Sequence, residues 1–311
     1  MQLRHLKTFV AVATTLNITR ASERVHLAQS SVTEQIQALE SDLGTSLFDR
    51  SRRGLKLTAA GQRLLDYAND LLDLADEARS AVADASGTVA GRLTVGGLET
   101  LCSTRLPAVL AEFHRRHPDV ELNLRADDSS GLRAGVTSGA LDVSFHFGAV
   151  PAAPPELRSE QVALEELVTI MPANHRLAGY SAITPDDLAD EAFLVTQPGC
   201  VYRRMFDETF AATLPDRPKL VGEFASMGAI RSLVEGGLGC ALVPRLVASA
   251  ADANIVVLPW VGSSPVTPVT MVWRHRRIQA PVLRLFLAMV REILAIARPV
   301  AGHHRHEARF R

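Results

Sequence analysis

Apolar positions recur at helical spacing through the first 43 residues and outline three amphipathic segments. Leu3, Leu6, Phe9, Val10 and Ala13 mark the first stripe, Ile18, Ala21, Ser22 and Val25 the second, and Val32, Ile36 and Leu39 the third. His26-Leu27 breaks the second segment from the third. Opposite its stripe, the third segment carries Gln29, Ser30, Ser31, Thr33, Glu34 and Gln37, a crowd of short hydroxyls and amides near a helix start. A helix-turn-helix offers side chains to the DNA major groove from that position. Amides can bond adenine edges at two points, and hydroxyls can serve any base. The pattern alone fits an ordinary surface helical hairpin equally well.

Residues 47–57 read as two short strands about a Gly-bearing turn. Thr58 is a good N-cap for the helix that follows. Along that helix Leu64, Ala68, Leu71, Ala75, Ala78 and Val82 alternate spacings of four and three, the mark of a coiled-coil seam. Ser86-Gly87 ends it and serves as a hinge. From Gly91 onward the pattern changes. Short apolar strands are predicted at 92–95, 120–124, 141–145, 167–171, 193–196 and 240–243, separated by helical stretches such as 104–117 and 227–235. Such alternation predicts an α/β architecture.

Charge sharpens the picture through its distribution. The 311-residue chain has a net charge of −1, yet residues 1–63 hold nine Lys/Arg against five acids, whereas 64–86 hold one against six. A basic head on an acidic helix suits DNA binding. Arg50, Arg52, Arg53 and Lys56 cluster in the 47–57 hairpin, where they would clamp phosphates, with Arg20 and Arg24 adding attraction. The bland alternative is a charged surface hairpin. A hydrophobic content of 47% allows a substantial core. Neither a signal peptide nor a membrane span is expected, which points to the cytosol. Three widely spaced cysteines form neither a disulfide framework nor a zinc pattern. No nucleophile elbow, metal constellation or dinucleotide fingerprint supports an enzyme, and no cofactor is implied. Gly236-Gly237-Leu238-Gly239 precedes a strand and lacks a following Lys-Ser/Thr, so it reads as a turn.

Several runs stand in a telling order: Leu3-Arg4-His5-Leu6-Lys7-Thr8-Phe9-Val10, Ala38-Leu39-Glu40, Leu43-Gly44, Leu47-Phe48-Asp49-Arg50 and Leu57-Thr58-Ala59-Ala60-Gly61. This order resembles the N-terminal domain of LysR-type transcriptional regulators, densely over the first 60 or so residues. There are departures. Ala28-Gln29-Ser30 stands where the family usually has Ser-Gln-Pro, and Glu34 where a basic residue is common. The resemblance implies an α/β fold class with a winged helix-turn-helix over 1–58 and a linker/dimerisation helix over 59–87. An effector domain over 88–300 would follow, two-lobed and similar to periplasmic solute-binding proteins. Lobe I would comprise 91–163 and 267–300, and lobe II 164–266. Residues 301–311, with His303, His304 and His306, read as a disordered tail rather than a metal site. The resemblance further implies a homodimer or tetramer on inverted-repeat DNA, modulated by a small, often anionic, effector. Gln29, Ser30, Ser31, Thr33 and Gln37 would read bases, and Arg50, Arg52 and Arg53 would hold the backbone.

In two-lobed α/β domains ligands sit at strand C-termini, where helix N-termini point amides at them. That rule selects Thr100 and Leu101, then Ser129 and Arg133, then His146, and from the second lobe Thr196, Cys200, Arg203 and Phe224. By resemblance, Thr100, Ser129, Thr196 and Cys200 match places where family members hold effectors, and Arg133 or Arg203 would pair with a carboxylate. Thr100 and Ser129 as helix caps, Arg203 as a surface residue and His146 as a satisfied buried one are the alternatives. Cys102 and Cys200 would flank the cleft, but they lack the close spacing of a reactive thiol pair.

Overall fold

The structure, a computed structural model, describes residues 1–51, 54–85, 89–149, 156–211, 218–248, 254–261, 265–276 and 279–295. The chain divides into two compact units, the first built on Met1–Val89 and the second on Ala90–Arg277 with the C-terminal helix.

The first unit opens with α1 (Leu3–Thr15), α2 (Ile18–Val25) and α3 (Gln29–Leu43). Their stripes meet in one core, where Leu6, Phe9, Val12, Ala21, Val32, Ile36 and Leu39 are almost fully buried. Asn17 caps α2 by accepting the Arg20 N–H. His26 then takes φ 55°, a left-handed turn that ends α2 and sends the chain into α3. A hairpin follows, β1 (Phe48–Ser51) paired antiparallel with β2 (Gly54–Leu57). Three local contacts fix it to the helices. Glu40 accepts the N–H groups of Leu47 and Phe48 at 2.7 and 3.2 Å. The Phe48 ring packs on Phe9, centroids 5.5 Å apart. The Thr58 hydroxyl donates to Ser46 O and accepts the Gly61 N–H, starting α4 (Ala59–Ala85).

The stripe along α4 divides in two. Ala68 is buried in the head core, with Leu64, Leu65 and Leu72 packed against it. Leu71 and Val82, together with Tyr67 and Leu74, stay exposed. The expected single seam is therefore shared between the head and an outward face. The hinge at Ser86-Gly87 lies outside the described residues.

In the second unit a seven-stranded sheet carries the order β10-β6-β11-β5-β3-β4, with β9 also on β6. These strands are β3 (Gly91–Gly97), β4 (Val120–Ala126), β5 (Val143–Phe147), β6 (Leu157–Pro172), β9 (Ala241–Pro244), β10 (Ile255–Pro259) and β11 (Val266–Arg274). β7 (Ala192–Thr196) and β8 (Lys219–Phe224) pair in parallel. The long β6 serves both lobes: it pairs with β11 up to Glu166 and with β9 and β10 from Leu167 onward. Helices α5 (Glu99–Thr104), α6 (Leu106–Arg116), α7 (Ser129–Thr137), α8 (Val201–Thr209), α9 (Met227–Glu235) and α10 (Pro281–Ala295) complete the unit. Phe286 of α10 meets Phe113 and Phe145 edge-on beneath the first lobe. Phe193, Phe206, Phe210 and Trp260 cluster in the second.

Two differences from the sequence expectation have simple causes. The helix expected over 104–117 breaks at Arg105, because Pro107 sits in the first turn of α6 and supplies no N–H to a continuous helix. The strand expected at 141–145 begins at Val143, because the Leu141 N–H is still bonded at 3.0 Å to Gly135 O in the turn that follows α7.

Candidate functional site

In the first unit, burial of Val32, Ile36 and Leu39 fixes the rotation of α3 and thus the face it turns outward. Gln29, Ser30, Glu34 and Gln37 are exposed, and Ser31 and Thr33 are half-buried. Thr33 donates its hydroxyl back to Gln29 O at 3.0 Å. Gln29, Ser30 and Gln37 therefore have freer side chains for base edges. Arg4, Lys7, Arg20, Arg24, Lys56 and Arg63 are exposed. Arg52 and Arg53 lie outside the described residues, as does the Arg50 side chain, although the Arg50 backbone is in β1 opposite Leu55.

In the second unit, parallel β3, β4 and β5 end together, at Gly97, Ala126 and Phe147. Parallel β7 and β8 end at Thr196 and Phe224. These ends lead into α5, α7, α8 and α9. The α7 N-terminus is capped by Asp128, whose carboxylate accepts from the Ser130 hydroxyl and from the Ser130 and Gly131 amides; these bonds hold its pKa below the usual carboxylate value. Ser129 is the first residue of that helix, and Thr100 lies in the first turn of α5, so neither is the cap.

Thr100 is buried, and its hydroxyl bonds the Tyr202 hydroxyl of α8. Tyr202 also sets its ring edge-on to Phe147, centroids 5.9 Å apart. The strand-end rule covers residues 196–203 and singles out Thr196, Cys200 and Arg203; the contact itself is made by Tyr202, in the first turn of α8 between the last two. Leu101 belongs to the core at 1% exposure. Thr196 is 3% exposed, and its hydroxyl has no hydrogen-bond partner among the described residues. Cys200 is the N-cap residue of α8 and is partly exposed. Phe224 packs beside the Val168, Ile170 and Ile230 cluster.

The expected cation positions are differently placed. Arg203 donates to Glu223 at 2.6 Å and to Asp207 at 3.3 Å, and also reaches Thr196 O. It is already paired. Arg133 is exposed on α7. Its charge, after burial, helps depress the pKa of His146 to about 4, so His146 is neutral and bonds Ser144 at 2.8 Å.

One cluster outside these places has the composition of a nucleophile site. His175 Nε2 lies 3.0 Å from Glu191 and 3.5 Å from Cys240 Sγ. His175 Nδ1 accepts the Leu177 N–H, so in the neutral ring Nε2 bears the proton and has no lone pair to take one from Cys240. Burial also pushes the Cys240 thiol up to about 12, and that of Cys102 to about 11. Among the described residues no group of three His, Cys, Asp or Glu could hold a metal ion.

Comparison with known proteins covers nearly the whole chain. Residues 3–62 match the model of the bacterial regulatory helix-turn-helix proteins of the lysR family, and residues 86–295 match that of the LysR substrate binding domain. The Hca operon transcriptional activator HcaR of Escherichia coli (strain K12) is 33% identical over 300 residues, 95% of this chain and 99% of its own. The HTH-type transcriptional regulator GltR of Bacillus subtilis (strain 168) is 32% identical over 301 residues, 96% of this chain and 99% of its own. The solved structure of full-length CbnR with its target DNA matches with a TM-score of 0.58 at 27% identity, covering 94% of this chain and 99% of that one.

Proposed function

This chain belongs to the LysR family of bacterial helix-turn-helix transcriptional regulators, and from that premise we propose how its own residues do the work. It is a transcriptional regulator and not an enzyme. Gln29, Ser30 and Gln37 read base edges in the major groove, with Ser31 and Thr33 alongside. Arg50, Arg52, Arg53 and Lys56 hold phosphates. The outward face of α3, fixed by the buried Val32, Ile36 and Leu39, is the observation that carries this reading. Glu34 stands exposed on that helix, where its carboxylate repels phosphate and accepts from a cytosine amino group.

The exposed Tyr67, Leu71, Leu74 and Val82 support a homo-oligomer paired along α4, which would set two heads on an inverted repeat. The domain limits follow the same reading: a DNA-binding head to residue 58, a linker helix to 87, then a two-lobed effector domain. A small-molecule effector binds where β3, β4, β5, β7 and β8 end, at Thr100, Ser129, His146, Thr196 and Cys200. Since Arg203 is engaged by Glu223 and Asp207, hydroxyl groups carry recognition there more than a free cation does. Among the described residues no helix is long and apolar enough to cross a membrane. A cytosolic location, beside the DNA, follows from the proposed role.

A footprint on DNA upstream of the protein's own gene, at low and moderate salt, tests the reader. Protection of an inverted repeat that survives moderate salt is expected. Gln37→Ala should alter sequence preference, by about 1–3 kcal/mol at one base position. Lys56→Ala should instead weaken all sequences alike and flatten the salt dependence by about one phosphate's worth. Absence of protection at either salt would refute the reading.

A further inference from the structure

We propose that Tyr202 is the gate of the effector cleft: its side chain bridges the two lobes, so an effector enters by displacing it and its ring limits what can enter. The inference rests on the reading that this cleft takes the effector. Tyr202 comes from α8 and packs against the core of the second lobe, while its hydroxyl and ring edge reach two groups of the first. Its hydroxyl bonds Thr100 in the first turn of α5, and its ring lies edge-on against Phe147, the last residue of β5. Both contacts are at strand ends, the positions that small ligands occupy in such folds. Burial raises the Tyr202 pKa above the ordinary phenol value, so the group stays protonated and keeps its hydrogen bond through the physiological range.

A second observation points to the same place. Thr196 ends β7, the strand that leads into α8, and is buried with its hydroxyl unpartnered among the described residues. A buried hydroxyl without a partner is costly, and a ligand that supplies one recovers that cost. The resting unit thus has one hydroxyl satisfied by its own tyrosine and, at the end of the strand leading into α8, another that lacks a partner among the described residues. An effector that moved Tyr202 would release Thr100.

The shape of the unit explains why such a contact can switch. On β6, where the strand passes from one lobe to the other, buried Glu165 pairs with Arg105 at 2.5 Å and accepts the Leu246 N–H at 2.9 Å. That joint ties both lobes to the crossing strand. The Tyr202 contact is a neutral hydrogen bond and a ring edge, far weaker, so it yields first.

The test uses full-length protein bearing Tyr202→Phe or Thr100→Val, each of which removes the interlobe bond while keeping the bulk. Hydrogen exchange is followed over residues 98–105 and 200–209, with the upstream DNA footprint recorded in parallel without added ligand. Exchange should speed up by roughly three- to tenfold in both segments in each single variant, with little further change in the double variant. The effector-free footprint should also change in extent. Unchanged exchange in both single variants overturns the gate and leaves the effector cleft standing. Faster exchange with an unaltered footprint overturns the regulatory role, and with it the reading that this cleft controls DNA binding.

Discussion

Replacing Gly61 with Ala sets two opposed effects against each other. Gly61 lies in the first turn of a 27-residue helix, where Ala gains about 0.5–1 kcal/mol from helix propensity. Propensity alone makes the variant more stable. The structure reverses the sign. A methyl group there would stand 2.1 Å from the Leu47 carbonyl oxygen, 2.9 Å from Leu57 Cδ2 and 3.1 Å from the Leu47 carbonyl carbon. The nearest group is backbone, and it cannot swing aside. Leu47 O already accepts the Thr58 N–H at 3.0 Å, while Leu47 N is held by Glu40. Overpacking against fixed backbone costs about 1–3 kcal/mol, and displacing the Thr58 bond adds about 1 kcal/mol. Net destabilisation of about 1–3 kcal/mol should follow. Because the chain holds two units, a single melting curve is a poor readout. Hydrogen exchange over residues 46–65 reports the head alone, and exchange there should quicken roughly fivefold or more. Gly179→Ala, where an added methyl meets nothing within 4 Å, serves as the uncrowded control and should leave exchange near its own site little changed. Exchange in Gly61→Ala that is equal to or slower than in the parent would refute the argument.

Glu40→Ala should expose the Leu47 and Phe48 amides that its carboxylate now accepts, costing about 2–4 kcal/mol of wing attachment; retained exchange protection at those two amides would contradict this. His146, held to about 4 first by burial and then by Arg133, makes the second unit sensitive to acid. Its folded pKa lies below the unfolded value near 6.5, so the unfolded chain binds the proton first, and stability present above pH 6.5 is lost as pH falls toward 4. The loss is of order 3 kcal/mol, and His146→Gln should flatten that window in urea titrations at pH 4.5, 5.5 and 6.5. An unchanged slope would remove His146 as the cause.

The head was legible in the sequence because its signals are local. Val32, Ile36 and Leu39 at helical spacing fix which face of α3 is buried, and Thr58 as an N-cap follows from hydroxyl chemistry. The second unit was legible where its strands are short and apolar. The 92–95, 120–124, 193–196 and 240–243 runs are strands, the last of them antiparallel to its neighbour. β8 (Lys219–Phe224) was not foreseen, because most of it is exposed and its Lys, Gly and Glu break the apolar run. β6 was foreseen only over its last residues, because Arg158, Glu160, Glu165 and Glu166 interrupt the apolar pattern, although each of these charges has an ion partner or an edge position. Arg203 and Tyr202 show the same limit at the site. Adjacent in sequence, they differ in the partners the fold brings them: Glu223 for Arg203, and Thr100, about a hundred positions earlier, for Tyr202. Long-range pairing of this kind leaves no trace in spacing.

The polar contacts also differ in how firmly they bind, and that difference bears on switching. A reader must keep α3 and the wing in fixed register, and the contacts around Leu47 involve a carboxylate on two backbone amides, which is stiff. A sensor must have two arrangements close in free energy, since a ligand shifts an equilibrium only by its differential affinity for the two states. A neutral hydrogen bond of about 0.5–1.5 kcal/mol, such as that between Tyr202 and Thr100, lies well inside the roughly 8 kcal/mol available to a micromolar ligand. The Arg105–Glu165 pair would take most of it, since breaking one side of a buried ion pair costs about 3–5 kcal/mol and leaving the Leu246 amide without its acceptor adds about 1–3 kcal/mol. An effector that spends its binding energy at the mouth therefore moves the lobes about a crossing strand that stays joined, which is the condition for a reversible change of shape rather than local unfolding.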